Sequence, residues 1–268
     1  MLYSQKQRHS SNEQEPTLVF IHGLLGTGLD WQACRAHLTQ FPFISIDLPG
    51  HGNSAGISCL NSDHCCKMIT STLLAQLDPE SPLILIGYSL GARIIMQGLA
   101  NSLFSGLNIK GALIEGGNFG LECELDKSAR LANDEAWAKR FRYEPIAQVL
   151  ADWYQQPVFS SLKDEQRQAL ISKRSANLGP SVADMLEATS LAKQDYLLDR
   201  LKLCGVPLHY ICGEYDRKFS QMAVESSLSF TQIKQAGHNV HQEQPLAFAQ
   251  ATLEQIQLFA QKENSTHR

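Results

Sequence analysis

The sequence predicts an α/β protein: a mostly parallel β-sheet flanked by helices, with an inserted helical cap. Short runs of β-forming residues alternate with amphipathic helical runs through residues 1–117 and again through residues 204–268, a pattern typical of parallel sheets whose connections are helices. Residues 118–203 contain several helix-like segments and no convincing strand. We therefore expect a core made of residues 1–117 and 204–268, interrupted by a cap at 118–203.

The first part of the chain is expected to alternate strand and helix after a polar start. Residues 1–15 are predicted to be a loose tail or a weak edge strand. The expected strands are short runs of β-branched and aliphatic residues, at Thr17–Ile21, Phe43–Ile46, Leu83–Ile86 and Gly111–Ile114. The expected helices have apolar residues at helical spacing, over Trp31–Phe41, Asp63–Leu77 and Leu90–Leu103. In such sheets ligands bind at the carboxyl ends of the strands.

The cap and the second part of the core follow. Helical segments are predicted in the cap at Leu125–Phe141, Ile146–Tyr154, Asp164–Arg174 and Ser181–Leu191. The strand and helix alternation then resumes, with strands at Pro207–Cys212 and Phe230–Lys234 and helices at Ser220–Leu228 and Leu246–Ala260. Residues 261–268 are expected to be a frayed tail. The cap is therefore positioned in sequence where it could cover the carboxyl ends of the strands.

Composition excludes several classes of function. The chain has 268 residues, 43% of them hydrophobic, with a formal net charge of -4 and a pI near 6.1. No basic field is available to hold nucleic acid or an anionic membrane. No apolar stretch is long enough to span a membrane, and the polar start has no secretory segment. We expect a cytoplasmic protein with no nucleic-acid partner and no membrane insertion.

The cysteines predict neither a disulfide framework nor a metal site. Seven cysteines, an odd number, are scattered along the chain, and in a sequence of this length they are expected to be reduced, mostly buried thiols. The run His64-Cys65-Cys66 has no second cluster with the spacing of a metal site. We therefore predict no metal.

One stretch predicts a reactive serine. The apolar run Leu83–Ile86 leads directly into Gly87-Tyr88-Ser89-Leu90-Gly91, and an amphipathic helical run follows. Glycine on both sides of the serine permits a sharp turn in which backbone segments approach closely, so that Ser89 is exposed at its apex. Gly-x-Ser-x-Gly alone is a weak pattern. Between a strand and a helix it indicates the nucleophile elbow of the α/β-hydrolase fold.

A serine hydroxyl needs a histidine to take its proton and a carboxylate to orient that histidine. His238, directly after the last predicted strand, is the best base, whereas His241 is expected to be a helix-start or surface residue. Asp216 follows the preceding strand, with Glu214 as the competing acid. The chain order Ser89, Asp216, His238 is that of α/β-hydrolases. We predict these three residues as the catalytic set.

The oxyanion hole is expected to use two backbone N–H groups. One belongs to Leu90, the residue after the serine, and the other to Leu24, in the loop after the first predicted strand. His22 is expected to brace this loop rather than exchange protons. Asp47 and His51, in the turn Asp-Leu-Pro-Gly-His-Gly, are likewise expected to be structural.

Arginines near the serine indicate an anionic substrate. Arg93 lies one helical turn after Ser89 and could point its guanidinium into the site. The cap carries Arg130 and Arg174, so several guanidiniums could converge above the serine. A surface salt bridge is the ordinary interpretation of a lone arginine. The planar fork of arginine suits carboxylates, so the set suggests a small-molecule polycarboxylate substrate.

Five segments carry a resemblance to a known family: Gly-Tyr-Ser-Leu-Gly-Ala-Arg (87–93), Glu-Gly-Gly-Asn-Phe-Gly-Leu (115–121), Ala-Asp-Trp-Tyr-Gln-Gln-Pro-Val-Phe (151–159), Met-Leu-Glu-Ala-Thr-Ser-Leu (185–191) and Ala-Gly-His-Asn (236–239). Over nearly the whole chain the sequence resembles the 2-succinyl-6-hydroxy-2,4-cyclohexadiene-1-carboxylate synthases of menaquinone biosynthesis. The elbow and triad are shared with the whole superfamily, whereas segment 151–159 is more specific. Ala92 is a soft departure, because some relatives are expected to have glycine there.

The resemblance implies a lyase that eliminates pyruvate from 2-succinyl-5-enolpyruvoyl-6-hydroxy-3-cyclohexene-1-carboxylate, without a cofactor. The triad positions of the family fall on Ser89, Asp216 and His238. Its carboxylate-binding arginines fall on Arg93, Arg130 and Arg174, and further site positions on Tyr88 and Trp153. Ser89 would act through His238 as a general base on a ring C–H.

Two alternatives remain open at this point. The first is a serine hydrolase (an esterase, thioesterase or C–C hydrolase) that acts on a carboxylate-bearing substrate with the same triad. The second is a noncatalytic binding module that has kept the fold, which an intact triad argues against.

Overall fold

Seven strands in the described part of the chain form one mostly parallel sheet. The structure, a computed structural model, describes residues 1–7 and 15–266. The strands are β1 (Ser4–Gln7), β2 (Thr17–Ile21), β3 (Phe43–Ile46), β4 (Pro82–Tyr88), β5 (Asn108–Glu115), β6 (Leu208–Gly213) and β7 (Ser229–Ile233). They are ordered β1-β3-β2-β4-β5-β6-β7, with β1 antiparallel to β3 and every other pair parallel. The predicted sheet is confirmed, and the polar start includes an edge strand.

Eleven α-helices lie in the described residues: α1 (Gln32–Arg35), α2 (Ser62–Leu74), α3 (Leu90–Ala100), α4 (Glu124–Tyr143), α5 (Ile146–Trp153), α6 (Asp164–Arg174), α7 (Gly179–Ala188), α8 (Leu198–Leu203), α9 (Arg217–Ser226), α10 (Val240–Glu243) and α11 (Pro245–Thr266). Short 3₁₀ helices occur at Gly28–Trp31, Gly52–Ser54, Pro157–Phe159 and Leu191–Lys193. Part of the predicted tail, 261–266, belongs to α11. Residues 8–14 and 267–268, also predicted as tail, lie outside the described residues.

One helix prediction was wrong in its extent. The helix expected over Trp31–Phe41 is only the four-residue α1, followed by turns that lead to β3. Pro42 follows directly, and a proline disfavours helical backbone in the residue before it. The apolar spacing that suggested a longer helix arises because Leu38 and Phe41 are buried from these turns.

The sheet separates two apolar clusters. In β2, Val19 and Ile21 face one cluster, whereas Leu18 and Phe20 face the other, as the two-residue period of a strand requires. Side chains of α2 and α3 complete the first cluster, and those of α1 and α11 complete the second. Both faces of the central strands are therefore buried, which explains their continuous apolar runs.

Helices α4 to α8 lie between β5 and β6 in the chain, with no strand among the described residues 118–203. A third apolar cluster joins α4, α5 and α7 and includes Leu25, from the loop after β2. Leu25 is only 1% exposed. The helical segment therefore packs on the loop that was predicted to contribute to the oxyanion hole.

Two global observations complete the description. All seven cysteines are free thiols. Across residues 1–7 and 15–266, no helix combines the length and the apolar character needed to cross a membrane.

Candidate active site

Ser89 lies on a strained turn between β4 and α3. Its backbone has φ 49° and ψ -106°, a left-handed conformation that costs a non-glycine residue about 1–3 kcal/mol. A Cβ at Gly91 would collide with the carbonyl oxygens of Ile21 and His22. A Cβ at Gly87 would lie 2.8 Å from the Ala92 nitrogen. Both flanking glycines are therefore required by close backbone approach, as the motif predicted.

Two backbone N–H groups beside the serine have no protein acceptor. Leu24 lies in the loop after β2, and Leu90 is the first residue of α3. In the described residues neither N–H donates a hydrogen bond to a protein atom, whereas the neighbouring Leu25 N–H donates to His51 Nε2 (2.9 Å). These are the two groups predicted for an oxyanion hole, and both are available to a ligand.

Buried histidines hold the loop that carries Leu24. His22 contacts the Gly23 carbonyl oxygen through Nδ1 (2.7 Å), and its Nε2 accepts from the Leu48 N–H (2.9 Å). His51 contacts the Pro49 carbonyl oxygen through Nδ1 (2.9 Å). Burial lowers the pKa of His22 to about 4 and that of His51 to about 3. Both rings are therefore neutral braces at pH 7.

Asp47 belongs to the same structural set. Its carboxylate accepts the N–H groups of Gly28 (2.7 Å) and Asn53 (2.9 Å). Together with the two histidines it fixes the turn that follows β3. The prediction that His22, Asp47 and His51 are structural rather than catalytic is confirmed.

The acid and the base come from the ends of the next strands. Asp216, after β6, lies 2.6 Å from His238 Nδ1 through Oδ2, and both side chains are 5% exposed. Glu214, the competing acid, is exposed and accepts the Gln235 N–H. Asp216 therefore orients the histidine. Among the described residues, no hydrogen bond joins Ser89 to His238, and such catalytic contacts commonly tighten only when a ligand binds.

A cavity of about 910 Å³ opens above these residues. Of the predicted site residues, it is lined by Leu24, Ser89, Leu90, Arg93, Arg130, Trp153, Asp216 and His238. Apolar walls come from Pro157, Val158, Phe159, Leu186, Leu191 and Phe219. The described part of the lining does not include Tyr88 or Arg174. The site thus lies at the carboxyl ends of the parallel strands and beneath the helical segment, as expected.

Arg93 enters the cavity from α3. Its Nε donates to Gln194 Oε1 (2.8 Å), and its Nη2 donates to the Thr189 carbonyl oxygen (2.7 Å). Burial, with a smaller contribution from Arg130, lowers the pKa of Arg93 to about 9. In the described residues it has no carboxylate partner within ion-pair distance. The guanidinium is therefore a desolvated cation with free donors, and an anionic ligand would stabilise it.

Arg130 is already paired within the protein. Its Nε donates to Asp134 Oδ1 (2.8 Å), and Ser190 Oγ donates to the other carboxylate oxygen (2.7 Å). Asp134 is 2% exposed, whereas the Arg130 side chain is 34% exposed. The ion pair orients Arg130 along the cavity wall, and only Nε of the guanidinium is used.

Arg174 lies elsewhere than the sequence suggested. Its Nη1 and Nη2 donate to both carboxylate oxygens of Asp30 (2.9 and 2.7 Å), and the Lys173 ammonium lies 2.8 Å from the same carboxylate. Burial alone would raise the pKa of Asp30, but the two cations more than offset it and hold that pKa well below its usual range. Asn177 donates to the Leu25 carbonyl oxygen (3.0 Å). This part of the cap segment therefore holds the Leu24 loop and does not line the cavity.

Tyr88 lies beneath the histidine. Its ring packs 5.2 Å from that of His238 and 5.0 Å from that of His241, measured between ring centroids. A Cβ at Gly23 would lie 2.7 Å from the Tyr88 ring. Burial, followed by the charge of Glu115, raises the pKa of Tyr88 well above its ordinary value. Tyr88 therefore supports the base from below.

Trp153 lies where α5 meets the cavity. Its ring contacts the ring of Trp137 edge-on, with centroids 5.0 Å apart, and that of Phe141 at 5.4 Å. The aromatic cluster fixes the position of the Trp153 ring as part of the cavity wall.

A buried ion pair behind the serine was missed. His241 is fully buried in the first turn of α10, so its expected surface position was wrong. Its Nδ1 lies 2.8 Å from Glu115 Oε2, and its N–H donates to Oε1 (3.1 Å). The Ser89 N–H in turn donates to the Glu115 carbonyl oxygen (2.8 Å). Glu115 therefore links the serine turn to the loop that carries His238.

The second omission is Lys218, in the first turn of α9. It lines the cavity close to Asp216. The position of this lysine immediately after the predicted acid was the only available signal. In the described residues, no group of three or more histidine, cysteine or carboxylate side chains is arranged to hold a metal ion.

A serine, an acid and a histidine that come in this order from successive parallel strands, beside two free N–H groups, define the class of α/β-hydrolase enzymes. A family model described as the alpha/beta hydrolase family matches residues 18–251. The chain belongs to this family and, within it, to the 2-succinyl-6-hydroxy-2,4-cyclohexadiene-1-carboxylate synthases, as the following similarities show.

The relatives cover most of the chain. It is 47% identical over 234 residues to the 2-succinyl-6-hydroxy-2,4-cyclohexadiene-1-carboxylate synthase of Serratia proteamaculans (strain 568), which covers 87% of this chain and 90% of that protein. It is 47% identical over 238 residues to the synthase of the same name from Yersinia enterocolitica, with 89% of this chain and 85% of that protein covered.

Solved structures agree. The structure of MenH from S. aureus matches with a TM-score of 0.87 and 25% identity, over 98% of this chain and 100% of that one. A thermophilic esterase from Thermogutta terrifontis matches with a TM-score of 0.76 and 17% identity, over 96% and 93% of the two chains, which shows the shared fold alone.

Proposed function

We propose that the chain eliminates pyruvate from 2-succinyl-5-enolpyruvoyl-6-hydroxy-3-cyclohexene-1-carboxylate to give 2-succinyl-6-hydroxy-2,4-cyclohexadiene-1-carboxylate, as a lyase of menaquinone biosynthesis. The observation that carries the proposal is the unpaired Arg93 guanidinium in the same cavity as Ser89. An enzyme for simple apolar esters has no use for a desolvated cation there. A substrate with three carboxylates does, and the named synthases are the relatives of this chain.

Proton abstraction is assigned to Ser89 and His238. His238 takes the serine proton, and the serine oxygen removes a proton from a ring carbon of the substrate. Asp216, 2.6 Å from His238 Nδ1, holds the ring tautomer that leaves Nε2 free to accept and stabilises the imidazolium that forms. The serine therefore acts as a base and forms no bond to carbon.

The two free N–H groups stabilise the charge that this step creates. When the C–H bond breaks, the electron pair delocalises onto the conjugated carbonyl oxygen and gives an enolate. The N–H groups of Leu24 and Leu90 donate to that oxygen, and in a site shielded from water such preorganised donors are worth several kcal/mol, about 3–4 for one donor. Collapse of the enolate then expels enolpyruvate, which becomes pyruvate on protonation.

The remaining predicted residues bind or support. Arg93 and Arg130 bind carboxylates of the substrate, and Trp153 contributes the apolar wall against the ring. Tyr88 supports His238. Arg174, which is paired with Asp30, holds the loop of Leu24 instead of binding a carboxylate directly. No cofactor takes part in this mechanism, and the reaction is placed in the cytoplasm.

The proposal is tested by incubating the purified protein with the enolpyruvoyl substrate and measuring pyruvate with a coupled dehydrogenase. The wild type releases one pyruvate per substrate, and Ser89→Ala lowers the rate about 10²- to 10⁴-fold, the usual contribution of a positioned acid or base. His37→Gln, at an exposed histidine on the surface, is the control and retains full activity. Absence of pyruvate release by a folded wild-type protein would refute the proposal and favour a hydrolase with the same triad.

A further inference from the structure

The cavity has fewer available cations than a substrate with three carboxylates requires. Arg130 shares its charge with Asp134 at 2.8 Å, and Arg174 is held by Asp30 outside the cavity lining. Arg93 is the one predicted arginine of the three without a carboxylate partner in the described residues. If the proposed substrate is correct, a further cation is needed.

Lys218 is positioned to supply that cation. It is the second residue of α9, two positions after Asp216, and it lines the cavity while remaining open to solvent. Its Nζ lies 5.6 Å from the centre of the Phe219 ring, which packs 4.7 Å from the His238 ring. The ammonium is therefore on the His238 side of the cavity, whereas Arg93 enters from the serine helix.

The charge of Lys218 is not satisfied within the protein. Over residues 1–7 and 15–266 its ammonium makes no ion pair and no hydrogen bond; its recorded contact is with the Phe219 ring. Burial of its stem, followed by the charge of Arg130, lowers the pKa of Lys218, and Asp216 partly opposes this. A carboxylate bound beside the ammonium would remove both costs.

The helix itself disfavours this residue. Arg217 and Lys218 occupy the first turn of α9, which has no acidic residue. A cation at a helix N-terminus is unfavourable because the positive end of the helix dipole lies there. A local rule broken at the edge of a catalytic cavity is expected where a residue serves function.

We propose that the Lys218 ammonium binds one of the carboxylates of the substrate and so completes a cation set with Arg93 and Arg130. This inference rests on the proposed function for the identity of the substrate, but its physical basis is the unpaired lysine at the cavity. Arg217 also lines the cavity, but it lacks the contact with the Phe219 ring that directs Lys218 toward His238. The assignment is therefore to Lys218.

The test compares Lys218→Gln, Lys218→Arg and Arg217→Gln with Lys202→Gln. Lys202 is exposed on α8 outside the cavity lining, so its substitution makes the same change in net charge. Loss of a charge-assisted hydrogen bond raises KM for the enolpyruvoyl substrate roughly 10- to 100-fold in Lys218→Gln, with kcat changed much less. Lys218→Arg restores most of the affinity, and the two control substitutions leave KM closer to the wild-type value.

A second measurement separates the failure of this inference from that of the proposed function. Titration calorimetry with succinate, a simple dicarboxylate, is run on the wild type, Lys218→Gln and Lys202→Gln at low and high salt. Weaker binding by Lys218→Gln alone supports the inference even if the wild type releases no pyruvate, which would refute only the proposed function. Equal KM and equal succinate affinity in the wild type and Lys218→Gln, or a larger effect of Arg217→Gln, would overturn the assignment.

Discussion

Arg93→Ala removes the guanidinium on which the proposed substrate class depends. Within the described residues, Nε and Nη2 hold it through Gln194 and the Thr189 carbonyl oxygen, at 2.8 and 2.7 Å, and Nη1 makes no hydrogen bond to the protein. Nη1 and the second proton of Nη2 are therefore available for a bidentate pair with a carboxylate.

The magnitude follows from those two donors. A hydrogen bond to a charged group contributes about 1.5–3 kcal/mol. Two such bonds would contribute at least about 3 kcal/mol, which corresponds to roughly a 100-fold loss of kcat/KM. Part of this loss is offset because the free enzyme no longer contains a cation whose pKa burial has lowered to about 9.

The assay is initial-rate pyruvate release over a range of substrate concentrations. Arg142→Ala is the matched control, because this arginine of the same cap segment pairs with Asp184 at 2.6 Å and Glu187 at 2.9 Å on the surface, where ion pairs contribute less than about 1 kcal/mol. Arg93→Lys should recover only part of the loss, since an ammonium lacks the planar fork. A kcat/KM for folded Arg93→Ala within about threefold of the wild-type value, compared with the tenfold steps of the scale, would refute the argument.

Three further predictions concern stability. Ser89→Gly relieves the left-handed strain at φ 49° and raises the free energy of unfolding by about 1 kcal/mol in urea titrations, while activity is lost. Glu115→Gln removes the charge from the buried pair with His241, so the free energy of unfolding falls by about 3–5 kcal/mol. Because the pKa of His22 is about 4 and that of His51 about 3 in the folded state, against about 6.5 unfolded, the unfolded chain takes up protons first and stability is lost as pH falls from 6.5 toward 4. His51→Gln should show a weaker dependence on pH over that range.

Each of these predictions has a control at an exposed residue. Glu135→Gln removes a carboxylate from the surface of α4 and should change stability by less than about 0.5 kcal/mol. His37→Gln should leave the pH dependence unchanged. A decrease in stability of Ser89→Gly, equal stabilities of Glu115→Gln and Glu135→Gln, or parallel pH curves for His51→Gln and the wild type would each contradict the corresponding argument.

Local patterns determined the parts of the fold and site that the sequence could predict. The strands and the serine turn depend on neighbouring residues, because β-formers, glycine spacing and strand-to-helix order are all read within a few positions. The acid and the base were accessible for the same reason: Asp216 and His238 each follow a strand directly. Asp47 and His51 were assigned correctly because their turn is also local.

Long-range pairing was inaccessible to the same reasoning. Arg174 and Asp30 are 144 positions apart, and His241 and Glu115 are 126 apart. No spacing rule connects residues at such distances, so Arg174 was predicted at the substrate and His241 at the surface. Lys218 was overlooked because a lysine in an exposed first turn has the same pattern as any surface residue, and only the cavity distinguishes it.

Single-turnover pyruvate release, with substrate deuterated at the ring carbon that loses its proton, is the most direct test of the central claim that Ser89 and His238 abstract a proton. With enzyme in excess, product release cannot mask the chemical step. Proton abstraction by the serine predicts slower release from the deuterated substrate than from the protiated one. Equal rates, together with a covalent acyl adduct on Ser89 in the intact-protein mass, would contradict this claim and assign the serine to nucleophilic attack.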